Sequence, residues 1–328
     1  MAILALSRAD VLELLTLREC IEVVEEAFRL HAQGRTLGPG VLSVPATGGG
    51  FHIKAAGLVG ERAYFAAKTN GNFPDNPRRS GLPTIQGLVV LADADNGSPL
   101  AVIDSGSVTA LRTAAATGVA ARYLARPDSR AATIVGCGMQ GELQLAAIAA
   151  ALPLERAWVL DTDHARSEDM AARAKAHLGM EVEAVKDLPR ALADSDVCVT
   201  CTPSRRALVA AADVRPGTFL AAVGADAHGK QELEPALMVR STVVVDVLAQ
   251  CVEIGELQHA VAAGLMAPAD VHAELSDVVA GRRPGRTRTD EVTIFDSSGT
   301  ALQDVAAALA VYEKARRTGR GQEVALDG

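Results

Sequence analysis

The sequence predicts an α/β protein in two parts, and three observations carry that expectation. The apolar run Thr133-Ile134-Val135 enters Gly136-x-Gly138-x-x-Gly141, and Asp161 follows the next apolar run, Trp158-Val159-Leu160, 25 positions after Gly136. Short apolar runs then alternate with helical segments as far as residue 247, the pattern of a Rossmann-type, doubly wound parallel sheet. Between about residues 41 and 104 the runs are short, strand-like and punctuated by glycine, proline and asparagine, which predicts an antiparallel or mixed sheet module.

The elements follow in order. Leu12, Leu15 and Leu17, then Ile21, Val24, Ala27 and Phe28, recur at helical spacing, so residues 8–33 read as helix with a break near Thr16. Gly34 and Gly38-Pro39-Gly40 end that region. Strand-like runs lie at 41–44, 51–55, 64–68, 88–91 and 100–103, with Asp95-Asn96-Gly97 as a hairpin turn. The alanine-rich segment 109–124 reads as helix and leads through Pro127 into a strand at 131–135. A helix follows Gly138 to about residue 151, then a strand at 157–160, a helix at 167–178, a strand at 181–184, a short helix at 188–193 and a strand at 197–200. Further strands are expected at 218–223 and 242–247. Residues 298–317 have helical periodicity through Leu302, Val305, Ala306, Leu309, Val311 and Tyr312, and should pack back on the N-terminal module.

Bulk properties exclude several classes. A chain of 328 residues permits about two domains. Apolar residues are 49% but aromatics only 3%, so the cores must be built from Ala, Val, Leu and Ile. The net charge is -8, and no like-charged block is long enough for a nucleic-acid footprint. The arginines between Arg282 and Arg288 are interrupted by glycine, proline and threonine and read as a solvated loop. No apolar run reaches membrane-spanning length, and the apolar N-terminal segment is too short for a signal peptide. Five widely spaced cysteines fit reduced thiols and a cytoplasmic protein. Cys198-x-x-Cys201 lies in a strand-like run with no second pair to complete a zinc site, so buried small residues, not a metal, are expected there.

The glycine loop points to a dinucleotide. Gly136 permits a tight turn, Gly138 lets backbone approach a pyrophosphate, and Gly141 lets helix and strand close up. Met139 and Gln140 open the helix whose free N–H groups and dipole would face negative charge. Asp161 is placed to accept hydrogen bonds from ribose hydroxyls, and its charge favours NAD over NADP; Arg156 and Arg166 nearby pull the other way. Thr202 and Pro203, just past a strand end, lie where nicotinamide or ribose contacts usually fall.

From end to end the chain resembles the ornithine cyclodeaminase/mu-crystallin family. The matching stretches are Tyr64–Asn70, Gly81–Gly87, Thr109–Ala115, the glycine loop, Gly224–Leu233 and Phe295–Asp304. Gly224-Ala-Asp226, Lys230–Leu233 and Ile294–Gly299 look most like the NAD-dependent alanine dehydrogenase branch. The resemblance implies a Rossmann dinucleotide-binding domain, residues 119–297, inserted in an α+β substrate-binding and dimerisation domain, residues 1–118 plus 298–328. It implies Lys68 beside the substrate carboxylate and reacting nitrogen, Arg112 as carboxylate anchor and Asp226 as acid/base near the alpha carbon. Thr113 and Ser298, in matching stretches, complete the cofactor set.

The residue types suit these roles. An arginine fork binds a carboxylate at two points, although Arg112 on an otherwise uncharged helix is also compatible with snorkelling to solvent. Lys68 ends an apolar run and is either a pocket cation or a strand-end surface charge. Asp226 lies at the carboxyl end of a strand, where such sheets bind ligands, or else caps a loop. Cyclodeaminases carry a further arginine in the segment matching Pro39–Ser43, which this chain lacks. Lys54, sharing strand parity with His52, either replaces it or points to solvent. His228 is either a proton relay beside Asp226 or a polar loop residue. The implied function is an NAD-dependent oxidoreductase interconverting a small L-amino acid and its imino or 2-oxo acid, with no metal and as a homodimer. The alternatives are ornithine cyclodeamination to proline and ammonia, cyclic imine or ketimine reduction, and non-catalytic cofactor binding.

Overall fold

The computed structural model describes residues 2–327. The chain forms two compact units: one holds the described residues up to Arg112 and those from Thr300 onward, the other Thr113–Gly299. The α/β architecture is a parallel nucleotide-binding-type sheet in the second unit and a mixed sheet with helices in the first.

The first unit opens with β1 (Ala2–Leu6), followed by α1 (Arg8–Leu14) and α2 (Leu17–Ala32). The break falls at Thr16 because α2 starts there with a capping box of its own, as α1 does at Ser7. Ser7 and Thr16 each accept the N–H three residues on, while Asp10 and Glu19 reach back to the cap N–H. Next come β2 (Thr36–Ala46), β3 (Gly49–Val59), β4 (Ala63–Asn72), the single turn α3 (Asn76–Ser80), β5 (Ile85–Asp93) and β6 (Pro99–Asp104). The strands are longer than the apolar runs that announce them. The β3–β4 register holds without interruption from Gly50 opposite Asn72 to Val59 opposite Ala63, so backbone pairing carries the strands through glycines and polar residues.

After β6, α4 (Ser105–Leu124) leads into the second unit. This contains β7 (Ala131–Val135), α5 (Met139–Ala151), β8 (Arg156–Leu160), α6 (His164–Leu178), β9 (Glu181–Ala184), α7 (Leu188–Ala193), β10 (Val197–Thr200) and β11 (Arg205–Val209). It continues with β12 (Phe219–Ala222), β13 (Gln231–Leu233), α8 (Pro235–Val239), β14 (Thr242–Val245), α9 (Leu248–Ile254) and α10 (Leu257–Ala262), and ends with β15 (Ala273–Glu274), α11 (Leu275–Val279) and β16 (Thr293–Asp296). The eight-stranded sheet has the order β15-β14-β16-β12-β10-β7-β8-β9. Every pair in it is parallel. β7, β10, β12 and β16 are buried along their whole length, as strands covered on both faces must be. The order reverses about β7, which puts a ligand crevice at the carboxyl ends of β7 and β10.

The chain returns to the first unit with α12 (Ala301–Thr318) and β17 (Gln322–Ala325). The first-unit sheet runs β17-β1-β6-β5-β4-β3-β2 and is mixed, because β1 pairs parallel with β6. α12 packs on α2, β3 and β4, as the tail periodicity implied. That face of β4 buries Tyr64, Ala66, Lys68 and Asn70. The opposite face of the sheet leaves Leu42, Val44, Phe51, Phe65, Leu88 and Val90 exposed.

One expectation is corrected. The segment 282–288 is not wholly solvated, since Arg286 is half-buried and serves as an internal tie. Its guanidinium donates to Leu124 O at 2.7 Å, Glu291 O at 2.5 Å and Thr293 Oγ1 at 2.8 Å. Gly285 makes this possible, because a Cβ there would lie 2.3 Å from Tyr123 O. The close approach lets the Arg286 backbone N–H reach Tyr123 O at 2.9 Å and its guanidinium reach Leu124 O, the last two carbonyls of α4. No cysteine is bridged, and Cys198 is buried within β10. Among the described residues no helix is long and apolar enough to cross a membrane. Arg286→Ala leaves Glu291 O without its donor and removes one of the two donors to Leu124 O; it is expected to cost about 1–3 kcal/mol, read as a lower urea midpoint at unchanged m-value.

Candidate active site

Each unit presents one chemically distinctive place. In the first, β4 turns Lys68 onto the face that α12 covers, and the final residue of this unit's share of α4 is Arg112. Both meet Asp304 in the first turn of α12. Lys68 Nζ lies 2.8 Å from each Asp304 carboxylate oxygen and 3.2 Å from Thr109 Oγ1. Arg112 Nε is 2.9 Å from Asp304 Oδ1, and its Nη1 donates to Gln303 Oε1 at 2.8 Å. All four side chains are buried, at 3%, 5%, 1% and 0% exposure for Lys68, Arg112, Asp304 and Gln303. The Gln303 amide nitrogen has no acceptor. Lys54 stands directly opposite Lys68 across the β3–β4 pair.

Electrostatics follow from burial. Desolvation pulls the Lys68 ammonium down to about 7, and Arg112 and Lys54 push the same way against Asp304. Burial raises the Asp304 carboxyl, but the charges of Lys68 and Arg112 more than offset this and hold it below the usual range. The cluster thus gathers two cations and an amide donor without an acceptor around one carboxylate.

In the second unit a cavity of about 390 Å³ is lined by Gly136, Gly138, Asp161, Arg166, Thr202 and Pro203, among others. The glycines differ as the motif requires. Gly136 has φ +107°, and a Cβ on it would sit 3.0 Å from Cys201 O. A Cβ on Gly141 would sit 2.2 Å from Gly136 O, so helix and strand touch there. A Cβ on Gly138 would meet nothing within 4 Å, so this glycine faces the open cavity. Gly138 also precedes α5 without a side-chain cap, so the amino end of that helix, where its dipole favours negative charge, opens at the cavity. Asp161 Oδ2 accepts the Cys137 N–H at 2.8 Å and Oδ1 the Asp163 N–H at 3.0 Å. Burial pushes Asp161 up, but these donors hold it below the ordinary carboxylate range. A pyrophosphate-bearing dinucleotide fits these residues.

The other candidates are placed as follows. Met139 is exposed at the start of α5, and Gln140 accepts from Gln144 at 3.1 Å. Thr113 is buried in α4. Ser298 is buried and donates its hydroxyl to Asp246 at 2.7 Å. Asp226 follows β12 on an exposed loop and pairs with Lys230 at 2.5 Å. His52 contacts Ser43 Oγ across β2–β3 at 3.1 Å. The structure adds Asp304 and Gln303, which sequence reasoning did not single out. An acid in a first helical turn is ordinary dipole complementation, and that hides the buried counter-ion.

The Ornithine cyclodeaminase/mu-crystallin family matches residues 2–319. An alanine dehydrogenase of Archaeoglobus fulgidus is 37% identical over 325 residues, 99% of this chain and 98% of that one. An archaeal alanine dehydrogenase dimer with bound NAD superposes with TM-score 0.95 at 37% identity, covering 99% of this chain and 100% of that chain. The Thermococcus litoralis Δ1-pyrroline-2-carboxylate reductase, in complex with NADH and L-proline, gives TM-score 0.94 at 33% identity over 98% and 100%.

Removing one member of a buried ion pair is costly. Asp304→Asn is expected to lose about 3–5 kcal/mol, and adding Lys68→Met should recover part of it; strictly additive losses would mean the pair does not interact. Because the folded Lys68 titrates near 7 and the unfolded one near 10.5, the unfolded chain binds more protons between those values. Stability should therefore rise with pH across that window and flatten there in Lys68→Met, measured by urea denaturation from pH 6.5 to 10.

Proposed function

The chain belongs to the ornithine cyclodeaminase/mu-crystallin family, and we propose that it interconverts a small L-amino acid with its imino and 2-oxo acid, using NAD, as an alanine dehydrogenase-like enzyme. The observation that carries this is the buried pair Lys68 and Arg112 on one carboxylate. Buried cations held in fixed geometry suit a small carboxylate-bearing molecule.

Arg112 anchors the substrate carboxylate with its planar fork, and the Gln303 amide offers a further donor. Lys68, drawn down to about 7, is partly neutral near neutral pH. It takes the proton from the substrate ammonium, leaving the neutral amine from which hydride loss is possible. Nicotinamide, when bound, supplies the hydride acceptor. Asp226 accepts a proton from the water that adds to the imine carbon and returns one to the departing ammonia. The balance is amino acid, NAD⁺ and water to 2-oxo acid, ammonium, NADH and a proton. Positioning supplies much of the rate. The glycine loop, Thr202 and Pro203 hold the dinucleotide, and Asp161 favours the ribose of NAD over the 2′-phosphate of NADP.

The exposed apolar face of the first-unit sheet supports a homodimer through that face, since a contiguous apolar patch of this kind marks an association surface. The unbridged cysteines fit a reducing, cytoplasmic setting.

Purified protein with NAD and single amino acids should show absorbance at 340 nm and free ammonia rising together. Ammonia from ornithine without net NADH would instead establish cyclodeamination. Arg112→Ala should lower turnover by about 10²-fold or more while leaving NADH fluorescence titration unchanged; lost NADH binding would place the arginine in the wrong site. Phe65→Glu combined with Val90→Glu should shift the light-scattering mass from dimer to monomer.

A further inference from the structure

Gly224 cannot carry a side chain: a Cβ there would lie 2.3 Å from Thr202 O and 2.4 Å from Glu232 Cδ. Two loops and a carboxylate therefore converge on this glycine. Glu232 is fully buried. Its Oε1 accepts the Thr202 N–H at 2.6 Å and its Oε2 the Gly224 N–H at 2.8 Å. Thr202 lies on the loop leaving β10 and lines the dinucleotide cavity. Gly224 opens the loop leaving β12, two residues before Asp226.

The same device is repeated behind it. Glu256, buried, accepts the N–H of Glu232 at 2.6 Å and of Leu233 at 3.0 Å. Asp296, buried, accepts the N–H of Glu256 at 3.0 Å and of Leu257 at 2.9 Å. Each acid grips the backbone that carries the next, from the end of β16 to the cavity loop. None of the three lines the cavity, and the chemistry above uses none of them. Burying a carboxylate is costly unless its acceptors are filled; here both oxygens of each acid hold backbone donors.

We propose that Glu232 is a positioning residue that locks the cofactor loop at Thr202 to the loop bearing Asp226, with Glu256 and Asp296 as its buttress. Dinucleotide binding at the first loop thereby orders the second. The proposal rests on the cavity being the dinucleotide site. Glutamine cannot substitute, because both partners are N–H donors and an amide offers a single acceptor oxygen.

The test uses NADH as probe. Energy transfer from Trp158, the one tryptophan, reports its affinity. Glu232→Gln should weaken NADH binding about tenfold, and Glu256→Gln should weaken it less, both at wild-type circular dichroism. In the wild type, NADH should slow hydrogen exchange at Gly224–Asp226 as well as around Thr202, a coupling that a merely stabilising carboxylate would not produce and that needs no variant to fold. Exchange slowed around Thr202 alone, or unchanged NADH affinity in a folded Glu232→Gln, overturns the proposal. A wild type that does not bind NADH overturns instead the assignment of the cavity.

Discussion

The first unit is organised around two cations that share one carboxylate out of water. Neither Lys68 nor Arg112 is tolerable at its depth alone, because stripping water from an ion costs far more than a lone hydrogen bond returns. Asp304 is the acid that makes their burial possible. That requirement fixes three elements at once. β4 must turn its even-numbered residues inward, α4 must end this unit's share on Arg112, and α12 must begin its first turn against the sheet. The helix caps, the strand register and the apolar flanks of α12 hold those elements in place. Their summed effect is a buried cluster in which two cations share one acid.

The second unit meets a different constraint with backbone. Its cavity lies at the ends of the parallel strands β7 and β8 and the loop after β10, and acids hold main chain still around it. Asp161 grips the glycine loop at Cys137, Asp246 takes the Gly299 N–H and the Ser298 hydroxyl, and Glu232 grips two loops together. Carboxylates suit this work because each presents two strong acceptors to N–H groups that a loop cannot satisfy by itself.

Legibility in the sequence follows from how each element is buried. Strands covered on both faces leave uninterrupted apolar runs bounded by turn residues, so 131–135 and 197–200 are read to within a residue. The β4 pattern is inverted at its far end: Lys68 and Asn70 face inward while Phe65 faces out. Periodicity therefore signals a strand there but gives no reliable end and no reliable inner face. Lys68, Arg112 and the glycine loop were visible because a resemblance and a spacing pointed at them. Asp304, Glu232 and Arg286 were not. Each is a charged residue whose significance depends on partners far away in the chain, and local pattern gives such a residue an ordinary explanation: a helix dipole, a polar loop, a solvated arginine.

The sequence distance between Lys68 and its acid, 236 residues, has a meaning for how the molecule is made. A growing polypeptide exposes both cations long before the acid has been translated. The whole nucleotide unit emerges in the interval and, with all its sheet partners present, is free to fold first. The sheet that carries Lys68 must meanwhile wait with that face wet. Completion of the first unit is thus a late event in biosynthesis, gated by one helix that closes a very long loop.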